Sequence, residues 1–535
     1  MEKKKISLFS LVMLTLSSLI GSGWLFGSWE AAKIAGPAAI ISWIIGALVI
    51  GLIAFNYIEL GTMFPERGGM SHYAQYTHGS LLGFIAAWAN WISLVTIIPI
   101  EAVACVQYMS SWPWKWANWT HQLMANGQVS NEGLVLVYLF IIIFTLLNYW
   151  SVNLLTKFTN FVSFFKLGIP ILTIIMLILS GFHPENFGHS VHSFMPYGSA
   201  AIFSATTVSG IIFSYDAFQT VINMGSEIKN PKKNIKRGIV LSLFISFIIY
   251  VALQITFIGV VKPSSIAKLG WHGLNFQSPF ADLAILLGMY WLSVLLYFEA
   301  FVSPFGTGVS FVASCARTLA AFKENKHFPS AVGKIDEKYG IPRFALIFNT
   351  IVSIIMVSMF RNWGILASVI STATLIAFLT GPVSVVSLRK MAPDFVRPVK
   401  LNHINLLAPI SFVLASLAAY WAMWPTTIEV ILIILVGLPI YLFYEHKLGW
   451  PDTKKHFKAS LWLLCYLVVL AILSYCGSKN FGGIGLIKYP FDFIILILVS
   501  LVFYYYGTHS YIKSEYFEQA VKSNQKVNLK EFDER

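Results

Sequence analysis

Apolar residues in this 535-residue chain fall in long unbroken runs, set apart by short charged or Pro/Gly-rich breaks. A run of about twenty apolar residues spans the roughly 30 Å hydrocarbon core of a bilayer as a helix. Fourteen such spans are read, over 8–34, 38–63, 82–110, 133–151, 156–180, 200–225, 238–260, 281–321, 343–360, 363–388, 404–423, 427–444, 458–476 and 489–507. The runs are continuous rather than alternating, which favours helices over a β-barrel, the other structure that satisfies its own backbone in lipid. The 281–321 run exceeds one perpendicular span, so it is expected to tilt or to extend into the cytoplasm.

Composition agrees: 57% of residues are hydrophobic and 11% charged, with a mean hydropathy of +0.70. A soluble enzyme is excluded. The net charge of +13 would suggest nucleic acid, but its distribution says otherwise. With residue 1 in the cytoplasm, inward segments hold 28 Lys and Arg and outward segments seven; Lys166 and Arg317 lie within spans. That bias follows the positive-inside rule, places both termini in the cytoplasm, and requires an even number of spans. The basic N-terminus resembles a secretory signal but lacks a small-x-small cleavage site, so it is read as leading into a retained first span. Cys105, Cys315, Cys465 and Cys476 show no metal-ligand spacing and are expected to pack. Trp112, Trp114, Trp116 and Trp119 crowd the loop after span 3, as an aromatic belt at the outer interface would.

Two spans carry helix-breaking sequence at matching places. Span 1 contains Ile20-Gly21-Ser22-Gly23-Trp24, and span 6 contains Phe213-Ser214-Tyr215-Asp216 after Ser209-Gly210. They open two units of five spans, 8–180 and 200–390, and an odd number of spans inverts the second unit. Paired interrupted helices in inverted repeats point to the central site of a secondary transporter. Half-helix N-termini there attract a carboxylate and freed C-terminal carbonyls a cation. An α-amino acid carries both groups. Close helix packing through small residues is the bland alternative for span 1.

These segments, with Glu59-Leu60-Gly61 and Pro65-Glu66-Arg67-Gly68-Gly69 after span 2, Glu227–Ile235 after span 6, and Phe328-Pro329 and Tyr339–Arg343 before span 9, resemble the amino acid–polyamine–organocation permeases. The fourteen spans, Trp150-Ser151-Val152 and the Gly477–Tyr489 loop look most like the bacterial aspartate–proton symporter branch. The resemblance implies an all-α polytopic fold of the leucine-transporter type, a five-plus-five inverted repeat. Four further spans over 404–507 stand outside the core, and 1–7 and 508–535 are cytoplasmic. It implies that Ile20, Gly21, Ser22, Gly23, Trp24, Phe213, Ser214, Tyr215 and Asp216 bind the substrate, with Trp24 or Phe213 as a gate. It also places Lys166 beside spans 1 and 8, where sodium-coupled members hold a cation, and so implies proton coupling there.

Intramembrane charge is costly and needs explanation. Glu299 is expected to partner Lys166, and Glu101 to relay protons or bond to backbone. Glu30, Glu59 and Asp282 lie near span ends, where solvation is the expected explanation. The aspartate branch has an apolar residue at Asp216 and an arginine near Val106; both departures make this site more negative. Charge complementarity then favours a cationic or neutral amino acid over an acidic one, unless Asp216 is protonated or turned toward a helix end. The reading is a proton-coupled amino-acid symporter of a bacterial inner membrane, with an exchanger or a non-transporting sensor as alternatives. Besides substrate, proton and lipid no partner is expected: no nucleic acid, cofactor or metal, and no His-Glu-x-x-His or Ser-Lys motif lies within the spans. The sequence assigns no oligomeric state.

Overall fold

The computed structural model describes residues 5–66, 68–150, 152–324, 328, 332, 334, 336, 342–450 and 452–522, with backbone alone for 150, 152–164, 321, 323 and 324. Arg67, Ser151, most of the loop before span 9, residues 1–4 and residues 523–535 lie outside it.

Span 1 is two helices, α1 (Leu8–Leu19) and α2 (Gly23–Ala35), parted at Ile20–Ser22. Span 2 is α3 (Ala39–Met63), and a short α4 (Tyr73–His78) leads to α5 (Ser80–Met109), every residue of which is buried. A two-residue hairpin, β1 (Met124–Ala125) with β2 (Gln128–Val129), precedes α6 (Asn131–Trp150) and α7 (Val152–Ser180). A turn of helix α8 (Val191–Phe194) leads to span 6, which is broken into α9 (Gly198–Val208), α10 (Ile211–Tyr215) and α11 (Gln219–Asn223). The two sides of the first break bend by 51°. Gly210 permits this break, since its φ of 81° lies in the left-handed region that side chains resist.

Next come α12 (Pro231–Val260), α13 (Pro263–Leu269), α14 (Pro279–Leu286) and α15 (Tyr290–Glu324). The expected single span over 281–321 is therefore wrong in one respect. It is two helices, separated where Gly288 takes a φ of 76°, and hydrophobicity alone could not reveal that turn. Then follow α16 (Arg343–Met359), α17 (Trp363–Phe378) with α18 (Thr380–Met391), α19 (Ile404–Tyr420), α20 (Thr426–Leu435) with α21 (Gly437–Lys447), α22 (Thr453–Cys476) and α23 (Phe491–His509).

Nine helices among the described residues are long and apolar enough to cross a membrane, ten if the bent pair counts as one. Four shorter apolar helices, Leu8–Leu19, Phe165–Ser180, Arg343–Met359 and Ile404–Tyr420, accompany them. The chain is a multi-pass helical membrane protein. Its buried spine is α5 against α17, linked by a short Ser93–Thr374 hydroxyl contact of 2.5 Å. Outer helices expose apolar residues such as Leu48, Val135, Ile351 and Val502, the pattern expected of lipid-facing positions. Of the four tryptophans in the loop after span 3, Trp116 and Trp119 are exposed, whereas Trp112 and Trp114 pack on Phe301 and Tyr297 of α15.

Near their ends the two broken spans are stitched together. Ile6 N–H donates to Glu227 O (2.8 Å) and Lys229 N–H to Ile6 O (2.9 Å), a parallel bridge between the residues before α1 and those after α11.

Glu59 overturns its expectation of solvation. It is fully buried, and Arg389 grips it in two bonds of 2.8 and 2.6 Å. Leu401 N–H adds a third at 2.9 Å, and Arg397 Nε stands 3.6 Å away. Its span ends inside protein rather than in water, which position along the chain could not show. Removing one member of a buried ion pair costs about 3–5 kcal/mol. Arg389 is 21% exposed and Arg397 remains, so Arg389→Ala is expected to cost somewhat less, about 2–3 kcal/mol. The check is a lowered thermal midpoint of the purified protein; an unchanged midpoint would show the ion pair to be dispensable.

Candidate functional site

Parting α1 from α2 frees carbonyls on one side of the break and amides on the other. The chain's own side chains meet three of the carbonyls and one of the amides. Lys166 Nζ donates to Ser17 O (2.8 Å) and to Thr307 Oγ1 (2.5 Å). Tyr250 Oη donates to Leu19 O at 2.7 Å and Ser303 Oγ to Ile20 O at 3.1 Å. On the far side the carboxylate of Glu101 accepts the Ser22 N–H with both oxygens, at 3.1 and 3.0 Å. An ammonium thus sits on the C-terminal end of α1 and a carboxylate at the N-terminal end of α2. Each lies where the helix termini favour its charge.

The glycines are what allow this approach. A Cβ on Gly21 would stand 2.6 Å from Glu101 Oε1 and 3.3 Å from Thr307. One on Gly23 would stand 2.4 Å from the Oγ of Ser214, so the two broken spans touch there. Ser214 Oγ donates back to Gly210 O at 2.9 Å. Ser22 caps nothing with its side chain; its Oγ instead accepts the indole N–H of Trp363 at 2.9 Å. Phe213 meets the same indole edge to face at 6.3 Å.

Not every expected residue gathers here. Trp24 is buried and stacks on Phe280 of α14 at 5.8 Å. Tyr215 points into an aromatic cluster with Trp43 (5.7 Å) and Tyr250 (5.4 Å). Asp216 faces α17, where Thr374 Oγ1 donates to it at 3.1 Å. Glu299 is buried, and neither of its oxygens has a hydrogen-bond partner among the described residues. Glu299 and Lys166 attract each other through their charges but form no direct ion pair among the described residues; Lys166 bonds to Ser17 and Thr307. Sequence reasoning missed Tyr250, Ser303, Thr307 and Trp363. Only Thr307, a hydroxyl between Gly306 and Gly308 in an apolar span, left a visible trace.

Comparison with known proteins gives the chain a family. A family model described as "Amino acid permease" matches residues 6–472. The chain belongs to that family, within the amino acid–polyamine–organocation superfamily. It is 51% identical to a glutamate/serine transporter, AimA, of Bacillus subtilis (strain 168), over 98% of this chain and 97% of that protein. It is 34% identical to an aspartate-proton symporter of the same organism, over 95% and 96%. A methylthioribose transporter, also from that strain, is 26% identical over 83% and 94%. Family and relatives are transporters and permeases, not enzymes, and this permease is a membrane protein of amino-acid transport.

Gly21→Ala forces Glu101 off the Ser22 N–H. A hydrogen bond to a charged group is worth about 1.5–3 kcal/mol, so uptake is expected to fall about tenfold or more while the protein still assembles. Amino-acid uptake into proteoliposomes, normalised to inserted protein, measures this; wild-type uptake in that variant would remove Glu101 from the site.

Proposed function

We propose that this permease imports an amino acid together with a proton by alternating access across a bacterial inner membrane, both of its termini being cytoplasmic. The carrying observation is the span 1 break, whose two poles hold the protein's own ammonium and carboxylate. The first-turn amides of α2 and the carbonyls about Ile20 are then the groups that a zwitterion takes up. In this reading the core is the five-plus-five inverted repeat of 8–180 and 200–390. Spans 11–14 stand beside it, fourteen spans in all.

Lys166 is the proton-coupling group. Its proton holds it on Ser17 O and Thr307, and loss of that proton toward the cytoplasm loosens α1 and releases the substrate. Coupling of this kind requires that protonation change the relative stability of outward and inward states. Glu101 and Glu299 are the acids that exchange the proton with it. The unbonded carboxylate of Glu299 suits that role, because a protonated acid can be buried at lower cost than an ionised one.

The substrate is a neutral amino acid of about serine's size. Asp216 is engaged by Thr374 rather than presented free to a cationic side chain, and a 51% identical relative carries serine in its name. The second reading is an acidic substrate, favoured by glutamate and aspartate in the names of two relatives. Uptake of a labelled panel into proteoliposomes, with and without an inward proton gradient, separates these. The expected result is gradient-driven accumulation of serine. Accumulation of glutamate alone selects the second reading. Exchange that ignores the gradient removes the coupling. Lys166→Ala is expected to abolish accumulation against a gradient while substrate still binds; full accumulation in that variant would remove Lys166 from the coupling.

A further inference from the structure

A helix leaves its last carbonyls without partners in its own backbone. At the end of the short α4 these include Gln75, Tyr76 and Thr77, and the segment that leaves α23 runs back to meet them. Gly507 O stands 3.0 Å from His78 Nε2, and Ile512 N–H donates to Thr77 O at 2.8 Å. Ser514 Oγ donates between Tyr76 O (2.9 Å) and Gln75 O (3.1 Å). The same oxygen accepts Phe517 N–H at 3.2 Å, so Ser514 also caps a helix over 515–522. Although this segment lies past the last span, Ser514, Phe517 and Ala520 are buried. The Phe517 ring packs on Phe64 at 6.4 Å and on Phe395 at 6.3 Å.

What this tail holds is joined to both broken spans. Phe64 meets Tyr76 at 5.2 Å, and Tyr73 Oη donates to Phe64 O at 3.3 Å, so the 64–78 segment is folded on itself. Gly68 N–H then donates to Asn223 O, at the end of α11, at 2.9 Å. Beyond it a Cβ on Gly225 would stand 2.9 Å from the backbone of Pro65. The bridge of Ile6 with the 227–229 segment carries the line on to the start of α1. From Ser514 to Ile6 the chain of contacts is continuous.

We propose that the 510–522 segment is a strap that holds the cytoplasmic mouth of the permease shut. While it lies on α4, the 64–78 segment stays against α11 and the inner ends of the broken spans stay together. Inward opening follows its release. The inference rests on the proposed alternating access with a cytoplasmic C-terminus.

The test is the rate at which a membrane-impermeant maleimide labels Asn223→Cys in inside-out vesicles, read by mass above the background of the four native cysteines. Adding Ser514→Ala, which loses the bond to α4, is expected to speed labelling about fivefold, the scale of one hydrogen bond. Phe517→Ala is expected to do at least as much. A tail that only braces the fold predicts a lowered thermal midpoint with labelling unchanged, and labelling of either variant at the rate of Asn223→Cys alone overturns the strap. The converse arm is a lock. Gln75→Cys with Tyr516→Cys, whose parent side chains hydrogen-bond, is joined by a short bismaleimide. Uptake of serine or glutamate into proteoliposomes is then expected to fall several-fold, and full uptake by the joined protein overturns the proposal. Failure of the unmodified protein to take up either amino acid would remove the proposed transport, whereas the labelling rates would still decide the strap.

Discussion

A peptide N–H or C=O in hydrocarbon has no water to turn to, and each bare group costs several kcal/mol. Breaking a helix at mid-membrane therefore obliges the rest of the protein to come to the break. Around Ile20–Ser22 the answering groups arrive from four helices: Glu101 from α5, Lys166 from α7, Tyr250 from α12 and Ser303 from α15, with Thr307 of α15 holding Lys166. The convergence of these helices on one point is the geometric consequence of that obligation. The carbonyl side is nearly filled, whereas the amides of α2 beyond Ser22 have no side-chain cap, and the proposed binding of a substrate rests on this asymmetry.

The same constraint explains what could be read in advance. Gly-Ser-Gly in an apolar run, and Ser-Gly at a matching depth in span 6, disclose breaks because few other residues tolerate them. The helices followed from hydrophobicity, most of them to within a few residues. Direction was harder. Tyr215 and Asp216 belong to the broken segment, yet one turns toward Trp43 and the other toward Thr374. A segment that passes from α-helix to a tighter turn does not keep the angular register by which a face is inferred. Trp363 and Tyr250 lie in spans remote in sequence, so nothing along the chain joined them to Ser22 or Leu19.

Charge also reads differently in three dimensions. Counted along the chain, Glu101, Asp216 and Glu299 outweigh Lys166 and make a forbiddingly negative site. In space they divide their duties: Glu101 serves a backbone amide, Asp216 a hydroxyl, and only Glu299 is left unbonded among the described residues. Glu101 at one pole and Lys166 at the other set an anion and a cation along a helix axis, with the charge of Glu299 also felt at Lys166. Such a field discriminates by the placement of the ligand's own two charges more than by its net charge.

The bridge between Ile6 and the 227–229 segment has a mechanical side. It ties the start of α1 to the end of α11 in one linkage, while α17 is anchored through Asn362 to the turn of the β1–β2 hairpin. In the proposed transport cycle, motion transmitted to α1 is shared with α11 through this bridge. Under the proposed alternating access the swing of one lever is geared to the other, and a substrate leaving either break relaxes both at once.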